Sequence, residues 1–549
     1  MRYSITLLCS FALLFTACDG GSPGTSDDPA FAANSETATA PAAAPDDYLR
    51  PGYHFTPPAG WMNDPNGMVY HAGEWHLFYQ YYPDGNKWGP MHWGHAVSTD
   101  LVSWEHLPIA LYPDELGYIF SGSAVIDKEN TAGFGKNAMV AIYTYHDMVG
   151  EKAGREDFQS QAIAYSIDKG RTWTKYAGNP VIPNRGVRDF RDPKVIWDAE
   201  HAQWLMVLAA QDRVQFFGSK NLKEWNYLSE WGQKTRNHSG VWECPELFPL
   251  TVVESQDSAW VLNVSINPGG ANGGSGTFYF PGYWDGKEFT PRWQPSASAT
   301  DTVSWVDYGR DNYAGVTFSD VPDGRRVFMG WMSNWNYAQE VPTESWRSAM
   351  TIPRDLSLHA TDFGVRLHQQ PVEELEELRG KEKTIDLKRL PDGVTVIDLK
   401  PLSNNGQIEL DLTVDLMDSD AEELYLTFSD ESGEHYYRTG YSRKPGVENA
   451  FFSDRRFVGN TDFKSSFAPE RLTVAPRWSN HDELRIRAFL DRTSAEVFFD
   501  EGDPVLTDIF FPKAPFTKLM IEAHGSVGEG MPSGWRLVYG KLWGIGPSQ

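Results

Sequence analysis

Ser98-Thr99-Asp100-Leu101-Val102-Ser103-Trp104 returns later in the chain as Ser219-Lys220-Asn221-Leu222-Lys223-Glu224-Trp225. It also occurs, one residue longer, as Ser166-Ile167-Asp168-Lys169-Gly170-Arg171-Thr172-Trp173. Each copy follows an apolar, strand-like run: His92 to Val97, Val214 to Gly218 and Gln161 to Tyr165. Each is a tight Asx or Gly turn closed by a tryptophan, the Asp or Asn side chain bonding to backbone amides just ahead of it. Units roughly 50 to 70 residues apart, made of short strands and turns, predict propeller blades. A β-sandwich has no reason to repeat the turn. Strand clusters between Tyr53 and Leu358 amount to about five blades of four strands each.

At 549 residues the chain exceeds one ordinary core, so a second domain is expected. The pattern changes at Pro371-Val372-Glu373-Glu374-Leu375-Glu376-Glu377-Leu378, a short acidic, helix-like stretch that reads as a connector. From about Ile385 come alternating strands such as Gln407 to Leu412, Glu423 to Phe428, Glu483 to Phe489 and Ser494 to Phe499. Asp/Asn/Gly turns separate them, as in an antiparallel sandwich. Asp491 to Phe498 reads as a structural strand pair. The expected fold is all-β: a five-bladed β-propeller over residues 48–360, a connector over 361–382 and a β-sandwich over 383–549.

The N-terminus reads as an export signal over residues 1–18: Arg2 is basic, and Ile5 to Phe15 is apolar but too short to be a stable anchor. Thr16-Ala17 then precede Cys18, which resembles the lipid-accepting cysteine of a bacterial lipoprotein, although Phe15 stands where that pattern usually has Leu. A plain secretory signal is the alternative. Residues 19–47 are Gly, Ser, Pro, Ala, Thr and Asp with Phe31 alone as a large apolar residue, so they form a flexible tether. Cys9 leaves with the signal, and Cys244 is then the single remaining thiol, which excludes an internal disulfide framework. The expectation is an exported protein, lipid-anchored to a bacterial envelope or otherwise secreted or periplasmic. A net charge of -26 would repel nucleic acid and anionic membrane, so a neutral ligand fits better. With 21 Trp and 24 Tyr, stacking surface for sugar rings is available.

Three motifs carry carboxylates fixed between aromatic or Pro/Gly residues: Trp61-Met62-Asn63-Asp64-Pro65-Asn66-Gly67, Arg191-Asp192-Pro193 and Trp242-Glu243-Cys244-Pro245. Cleaving a sugar–sugar bond through an oxocarbenium-like transition state takes two carboxyl groups in different ionisation states. Asp64 sits in turn chemistry beside apolar Trp61-Met62 and Met68-Val69-Tyr70; amides and Asn63 around it would hold its pKa low, as a nucleophile requires. A surface hairpin is the bland alternative. Glu243 is flanked by Trp242, Cys244 and Pro245, and desolvation there would favour the neutral acid; an ion pair in a propeller wall is the alternative. Asp192 follows Arg191, and Arg188-Asp189 duplicates that pair, so a structural ion pair competes. The inner strands of all blades converge on one axial funnel, where acids so far apart in sequence can meet.

Other chemistries find little support. Met91-His92-Trp93-Gly94-His95 spaces two histidines three apart in a strand-like run with no acid cluster, which reads as core rather than metal ligation. No Gly-rich phosphate loop joins a strand to a helix. Gly122-Ser123 lies among strands, not in a nucleophile elbow. Asn267-Pro268-Gly269-Gly270-Ala271-Asn272-Gly273-Gly274-Ser275-Gly276 is expected to be a flexible loop at the funnel mouth.

The three acidic motifs, in this order, make the chain resemble glycoside hydrolase family 32, the fructan hydrolases and invertases, over everything after the tether. The resemblance implies a five-bladed propeller with a C-terminal sandwich. It assigns Asp64 as nucleophile, Asp192 as transition-state stabiliser and Glu243 as general acid/base. Asn63, Gln80, Trp88, Phe120, Ser121 and Arg191, with Trp335 as a looser match, resemble the fructose-binding residues. The Gly-rich loop, Trp242-Glu243-Cys244-Pro245-Glu246-Leu247 and Asp307 to Ala314 look most like exo-acting levanases and inulinases; endo-acting inulinases tend to carry Glu where Asp64 stands. The implied reaction is retaining hydrolysis of a terminal β-fructofuranoside from levan, inulin or sucrose, with no cofactor, and with the Asp64 and Glu243 carboxyl groups about 5–5.5 Å apart. A sucrose-preferring invertase and a non-catalytic fructan-binding lipoprotein are the alternatives. A sialidase is a further rival, because Ser166 to Trp173 resembles the Asp-box, but those enzymes use a Tyr nucleophile and an Arg cluster.

Overall fold

A computed structural model describes residues 47–546 apart from 233–238, 293–302, 391–392, 418–420, 445–448 and 526–533. Cys18, the signal segment 1–18 and tether residues 19–46 lie outside the described residues.

Five antiparallel sheets follow one another along the first two-thirds of the chain. The first blade is Gly60–His71, Glu74–Tyr82, His92–Ser98 and Glu105–Leu111; the second is Tyr118–Asp127, Ala138–His146, Gln159–Ser166 and Thr174–Lys175. The third is Phe190–Asp198, Gln203–Ala210, Val214–Ser219 and Asn226–Trp231. The fourth is Val241–Thr251, Ser258–Asn267, Gly276–Trp284 and Phe289–Pro291, and the fifth is Tyr313–Thr317, Val327–Met332, Arg354–Thr361 and Gly364–Pro371. Trp346–Arg347 pairs in parallel with Gly60 and Trp61, which ties the end of the ring to the innermost strand of the first blade.

The repeated turns all close the third strand of a blade. The indole Nε1 of Trp104, Trp173 and Trp225 donates to the carbonyls of Leu101, Gly170 and Leu222, each at 3.0 Å. Asp100, Asp168 and Asn221 accept backbone amides inside the turn. One physical device therefore recurs in three blades. His95, in the His92–Ser98 strand, stacks on Phe78 at 4.0 Å and lies 3.1 Å from the His76 ring nitrogen, among core side chains.

The C-terminal sandwich has two six-stranded sheets. In one, Ile408, Leu410, Leu412 and Val414 alternate inward beside Leu484, Ile486, Ala488 and Leu490. In the other, Leu424, Leu426 and Phe428 meet Leu519, Ile521 and Ala523. That period of two is what the sequence pattern predicts. The stretch 361–382, expected as connector, divides three ways. Gly364–Pro371 is the outermost strand of the fifth blade, Glu373–Leu378 is a 3-10 helix, and Arg379 opens the first sandwich strand Arg379–Thr384. The acidic helix signal marked the link, but strand 364–371 carries no break that would assign it to the propeller.

Propeller and sandwich share buried ionic contacts. His54 places Nδ1 2.8 Å from Asp491 Oδ2 and Nε2 2.9 Å from Glu496 Oε1, so both ring nitrogens face carboxylates. Glu496 also pairs with Arg354, whose Nη1 reaches Asp307 at 3.0 Å, and Thr507 Oγ1 donates to Asp307 at 2.6 Å. Asp491 to Phe498 thus does more than pair strands; it holds the segment before the first blade. The loop Asn267 to Gly276 is also pinned here: Asn272 Nδ2 donates to Tyr308 O at 2.7 Å and Val474 O at 2.9 Å. The expected flexible loop is instead bonded to both domains.

Burial alone would lower the His54 pKa, but the bonds to Asp491 and Glu496 outweigh it and raise it to about 9. This contribution, on the order of 3 kcal/mol for a shift from about 6.5, is complete below pH 6.5 and lost as pH rises through 9. Asp491 and Glu496 are lowered despite burial and contribute above the ordinary carboxylate range. Melting temperature is expected to fall between pH 7 and 10, and His54→Gln to be less stable at pH 7 with a smaller alkaline fall, as read by calorimetry. A fall of equal size in the variant would be evidence against the His54 contribution.

Candidate active site

The innermost strand of every blade carries a β-bulge near its N-terminal end. Register shifts fall between Met62 and Pro65, Phe120 and Gly122, Arg191 and Lys194, Glu243 and Glu246, and Tyr313 and Val316. A bulge leaves one residue without a ladder partner and turns its side chain out of the sheet's alternation. Four of these five irregularities contain or border Asp64, Ser121, Asp192 and Glu243. Gly122 permits the second, since a Cβ there would lie 2.0 Å from Ile142 O. At the third and fourth, Asp192 and Cys244 take positive φ of 64° and 44°, a strained conformation that neighbouring contacts must hold.

Those contacts run from blade to blade. Ser121 Oγ donates to Asp64 Oδ2 at 2.6 Å, and Asn63 Nδ2 donates to Asp64 Oδ1 at 3.0 Å. Trp61 Nε1 donates to Asn63 Oδ1 at 2.7 Å, which orients that amide. The Asp192 amide donates to Thr144 Oγ1 at 3.0 Å in the second blade, while its carboxylate accepts the Cys244 amide at 3.0 Å from the fourth. Cys244 Sγ lies 3.5 Å from Asp64 Oδ2 and 3.6 Å from Asp192 Oδ2. Arg191 donates to Glu243 Oε1 at 2.9 Å and to Asp189 Oδ1 at 2.7 Å, and the Tyr313 hydroxyl donates to Glu243 Oε2.

The ten residues singled out in the sequence (Asn63, Asp64, Gln80, Trp88, Phe120, Ser121, Arg191, Asp192, Glu243 and Trp335) all line one cavity of about 290 Å³. Trp335 reaches it from the loop after Val327–Met332 and stacks on Trp61 at 5.8 Å. Asp189, the expected confounder, is there too, holding Arg191 rather than replacing Asp192. Sequence reasoning missed His146, Glu151, Gln159 and Gln339 in the wall. His146 and Gln159 face each other across the second and third strands of the second blade, with His146 stacked on Phe120 at 4.2 Å. Neither stands in a turn or an acidic motif, so no local signal marks them.

The electrostatics depart from two expectations. Burial raises the Asp64 carboxyl above its ordinary value, and nearby Glu243 adds to this, while the bonds from Ser121, Asn63 and Cys244 pull it back only in part. The polar neighbours read from the motif are present, but desolvation outweighs them. Glu243, expected in an apolar setting, meets the Arg191 guanidinium and the Tyr313 hydroxyl; its Trp, Cys and Pro neighbours in sequence are not what its carboxyl faces. Burial is also the main cause that pushes Asp192 up to about 7, with Arg191 opposing and Glu243 and Asp64 reinforcing. Three carboxyl groups thus share a single guanidinium, Arg191, which lies against Glu243 and beside Asp192. Burial drives Cys244 well above the usual thiol range, so it remains a protonated, weak donor. His146 is pushed down to about 4 by burial and Arg191, and is a neutral ring at working pH.

Among the described residues no group of three or more His, Cys, Asp or Glu has the geometry to hold a metal ion. What the site offers is a polar, one-sugar-sized pit with aromatic walls, an Asp set among donors and a carboxyl flanked by a guanidinium and a phenol.

Comparison with known proteins agrees with this geometry. The sequence model for the N-terminal domain of glycosyl hydrolases family 32 matches residues 54–371, and that for the family's C-terminal domain matches 374–531. The levanase of Bacillus subtilis (strain 168) is 51% identical over 479 residues, covering 85% of this chain and 67% of that protein. The extracellular exo-inulinase of Aspergillus awamori is 36% identical over 511 residues, covering 88% of this chain and 93% of its own. A crystal structure of exo-inulinase from Aspergillus awamori superposes with a TM-score of 0.80 at 35% identity, over 90% of this chain and 98% of that one. A five-bladed propeller, a two-sheet sandwich and three axial acids on successive motifs meet here in one chain, which belongs to glycoside hydrolase family 32 and is a glycoside hydrolase.

Proposed function

We propose that the protein is an exo-acting, retaining β-fructofuranosidase that removes terminal β-D-fructofuranosyl units from fructans of the levan or inulin type, and from sucrose, releasing fructose. What carries the reading is the convergence of Asp64, Asp192 and Glu243 from three inner strands into one small cavity. A pit of about 290 Å³, at the low end for ligand cavities, suits one terminal ring rather than a chain threaded through.

In this scheme Asp64 Oδ attacks the anomeric C2 of the bound unit, and Glu243 gives its proton to the departing glycosidic oxygen. Water then enters on the leaving-group side, Glu243 takes a proton from it, and the resulting oxygen nucleophile displaces Asp64 from C2. Asn63, with its amide fixed by Trp61, and Ser121 donate to Asp64 and hold its attacking oxygen in place. Asp192, fixed by the Cys244 amide and Thr144, accepts hydroxyl hydrogens of the ring and carries negative charge where positive charge develops. Arg191 and Tyr313 orient Glu243. Trp88, Phe120 and Trp335 wall the ring and exclude water.

The homologues include proteins named levanase and extracellular exo-inulinase, consistent with an exported enzyme acting on a neutral polymer. We further infer attachment to the envelope through lipid on Cys18. Cys18→Ser is expected to move the protein from the membrane to the soluble fraction with unchanged turnover; retention on the membrane would exclude the anchor.

Asp64→Asn is expected to lower kcat on levan by at least about 10³-fold, because the covalent step is removed; a loss within tenfold would reject the nucleophile. Product analysis on levan and inulin is expected to give fructose alone, and a ladder of oligomers would instead mean endo action. Ser121→Ala removes a donor that stabilises the Asp64 anion, so the acid limb of the kcat/KM profile is expected to move to higher pH. An unmoved or lowered limb would contradict the role given to Ser121.

A further inference from the structure

The inner strands run in one direction along the propeller axis, with the acids near their N-terminal ends. At their C-terminal ends a second cavity of about 400 Å³ opens, lined by Ile126, Trp197, Pro249 and Ser319, with Trp204 and Arg326 beside them. It lies at the mouth opposite the site described above, and none of its wall residues lines that site.

Its wall is preformed. Fully buried Asp127 accepts the amides of Thr131 and Ala132, both at 2.8 Å, and so fixes the loop that follows its strand. Thr131 Oγ1 in turn accepts Trp204 Nε1 at 2.9 Å, and Trp204 packs edge-on against Trp197 at 5.1 Å. Trp197 remains 45% exposed on this rigid support. Two buried polar atoms of the wall, Ser319 Oγ and Arg326 Nε, have no hydrogen-bond partner among the described residues. Buried donors without partners are costly, and a built cavity that keeps two of them is suited to a ligand that supplies acceptors. The charges nearly balance. Lys128 Nζ pairs with Asp320 Oδ1 at 2.8 Å, the field of Glu246, itself paired with Lys194 at 3.1 Å, reaches Arg326, and Glu129 is a further carboxylate of the wall. A neutral, polyhydroxylated ligand meets these conditions better than an anion, which the overall charge of -26 would also repel.

We propose that this far-mouth cavity is a non-catalytic saccharide-binding site, in which Trp197 supports the apolar face of a sugar ring while Ser319 and Arg326 bond its hydroxyls. It rests on the fructan reading only for the identity of the polymer. Such a site holds a long chain against the enzyme while free ends are trimmed at the opposite mouth, which raises the effective concentration of ends.

The test uses the full chain bearing Asp64→Asn, which leaves the matrix undigested, run in native gels containing levan, inulin or dextran. Retardation by levan or inulin is expected. Adding Trp197→Ala or Arg326→Gln is expected to raise the dissociation constant at least tenfold. With Asp64 intact, the same two substitutions should keep wild-type kcat on sucrose, which also reports that they fold, and raise KM several-fold on levan alone. Trp197 is half-exposed, so its variant serves if Arg326→Gln is unstable. Equal retardation with and without Trp197→Ala, or no retardation of the parent in any gel, would overturn the site. A chain retarded through Trp197 that releases no fructose would instead sink the enzymatic reading and leave this one standing.

Discussion

The site depends on one backbone constraint: five inner strands, each interrupted by a bulge near the same depth. A regular strand alternates its side chains between the two faces of its blade and presents little to the axis. The extra residue breaks that alternation and turns Asp64, Ser121 and Asp192 inward. Because each bulge forfeits ladder bonds, its groups need partners elsewhere. They find them on neighbouring blades: Ser121 on Asp64, the Asp192 amide on Thr144, the Cys244 amide on Asp192. The bonds that repair the bulges are the same ones that aim the carboxylates.

That economy explains the electrostatics. Burial in the pit, reinforced by the neighbouring carboxylates, raises the proton affinity of Asp64 and Asp192, and at Asp192 the Arg191 guanidinium opposes the effect without cancelling it. Asp189 shares Arg191 and keeps it from becoming a simple counter-ion to any one acid. The result is a pit in which Asp64 and Asp192 hold their protons more tightly than free carboxylates do, while Arg191 and Tyr313 bond the Glu243 carboxyl. Rigidity comes from elsewhere. The sandwich clamps the segment before the first blade through His54, and it receives Arg354 from the fifth blade. Ring closure is thus supported from outside the ring.

The blades were legible because their marker is local. A Ser-x-Asp or Asn turn closed by a tryptophan bonds within eight residues, so its sequence carries its whole cause, and the three copies close three third strands. The acids were legible because Pro, Gly and Trp beside them record an unusual backbone. His146 and Gln159 carry no such record; the strand of His146 pairs with the bulged strand of the second blade, and Gln159 sits opposite His146 on the next strand out. The setting of Glu243 is not legible for a related reason: its sequence neighbours are apolar, yet its carboxyl faces Arg191 and Tyr313.

Sequence by itself determined the all-β class, the repeat of the blades and the alternation of the sandwich, since each rests on contacts within a few residues; for the three acids it marked the motifs, and the resemblance to a family supplied their expected roles. Tertiary structure alone decided which charges meet, how far burial shifts them, and that His54 finds Asp491 and Glu496 more than four hundred positions away. Desolvation and long-range pairing depend on what surrounds a group in space, and neighbours along the chain do not report that.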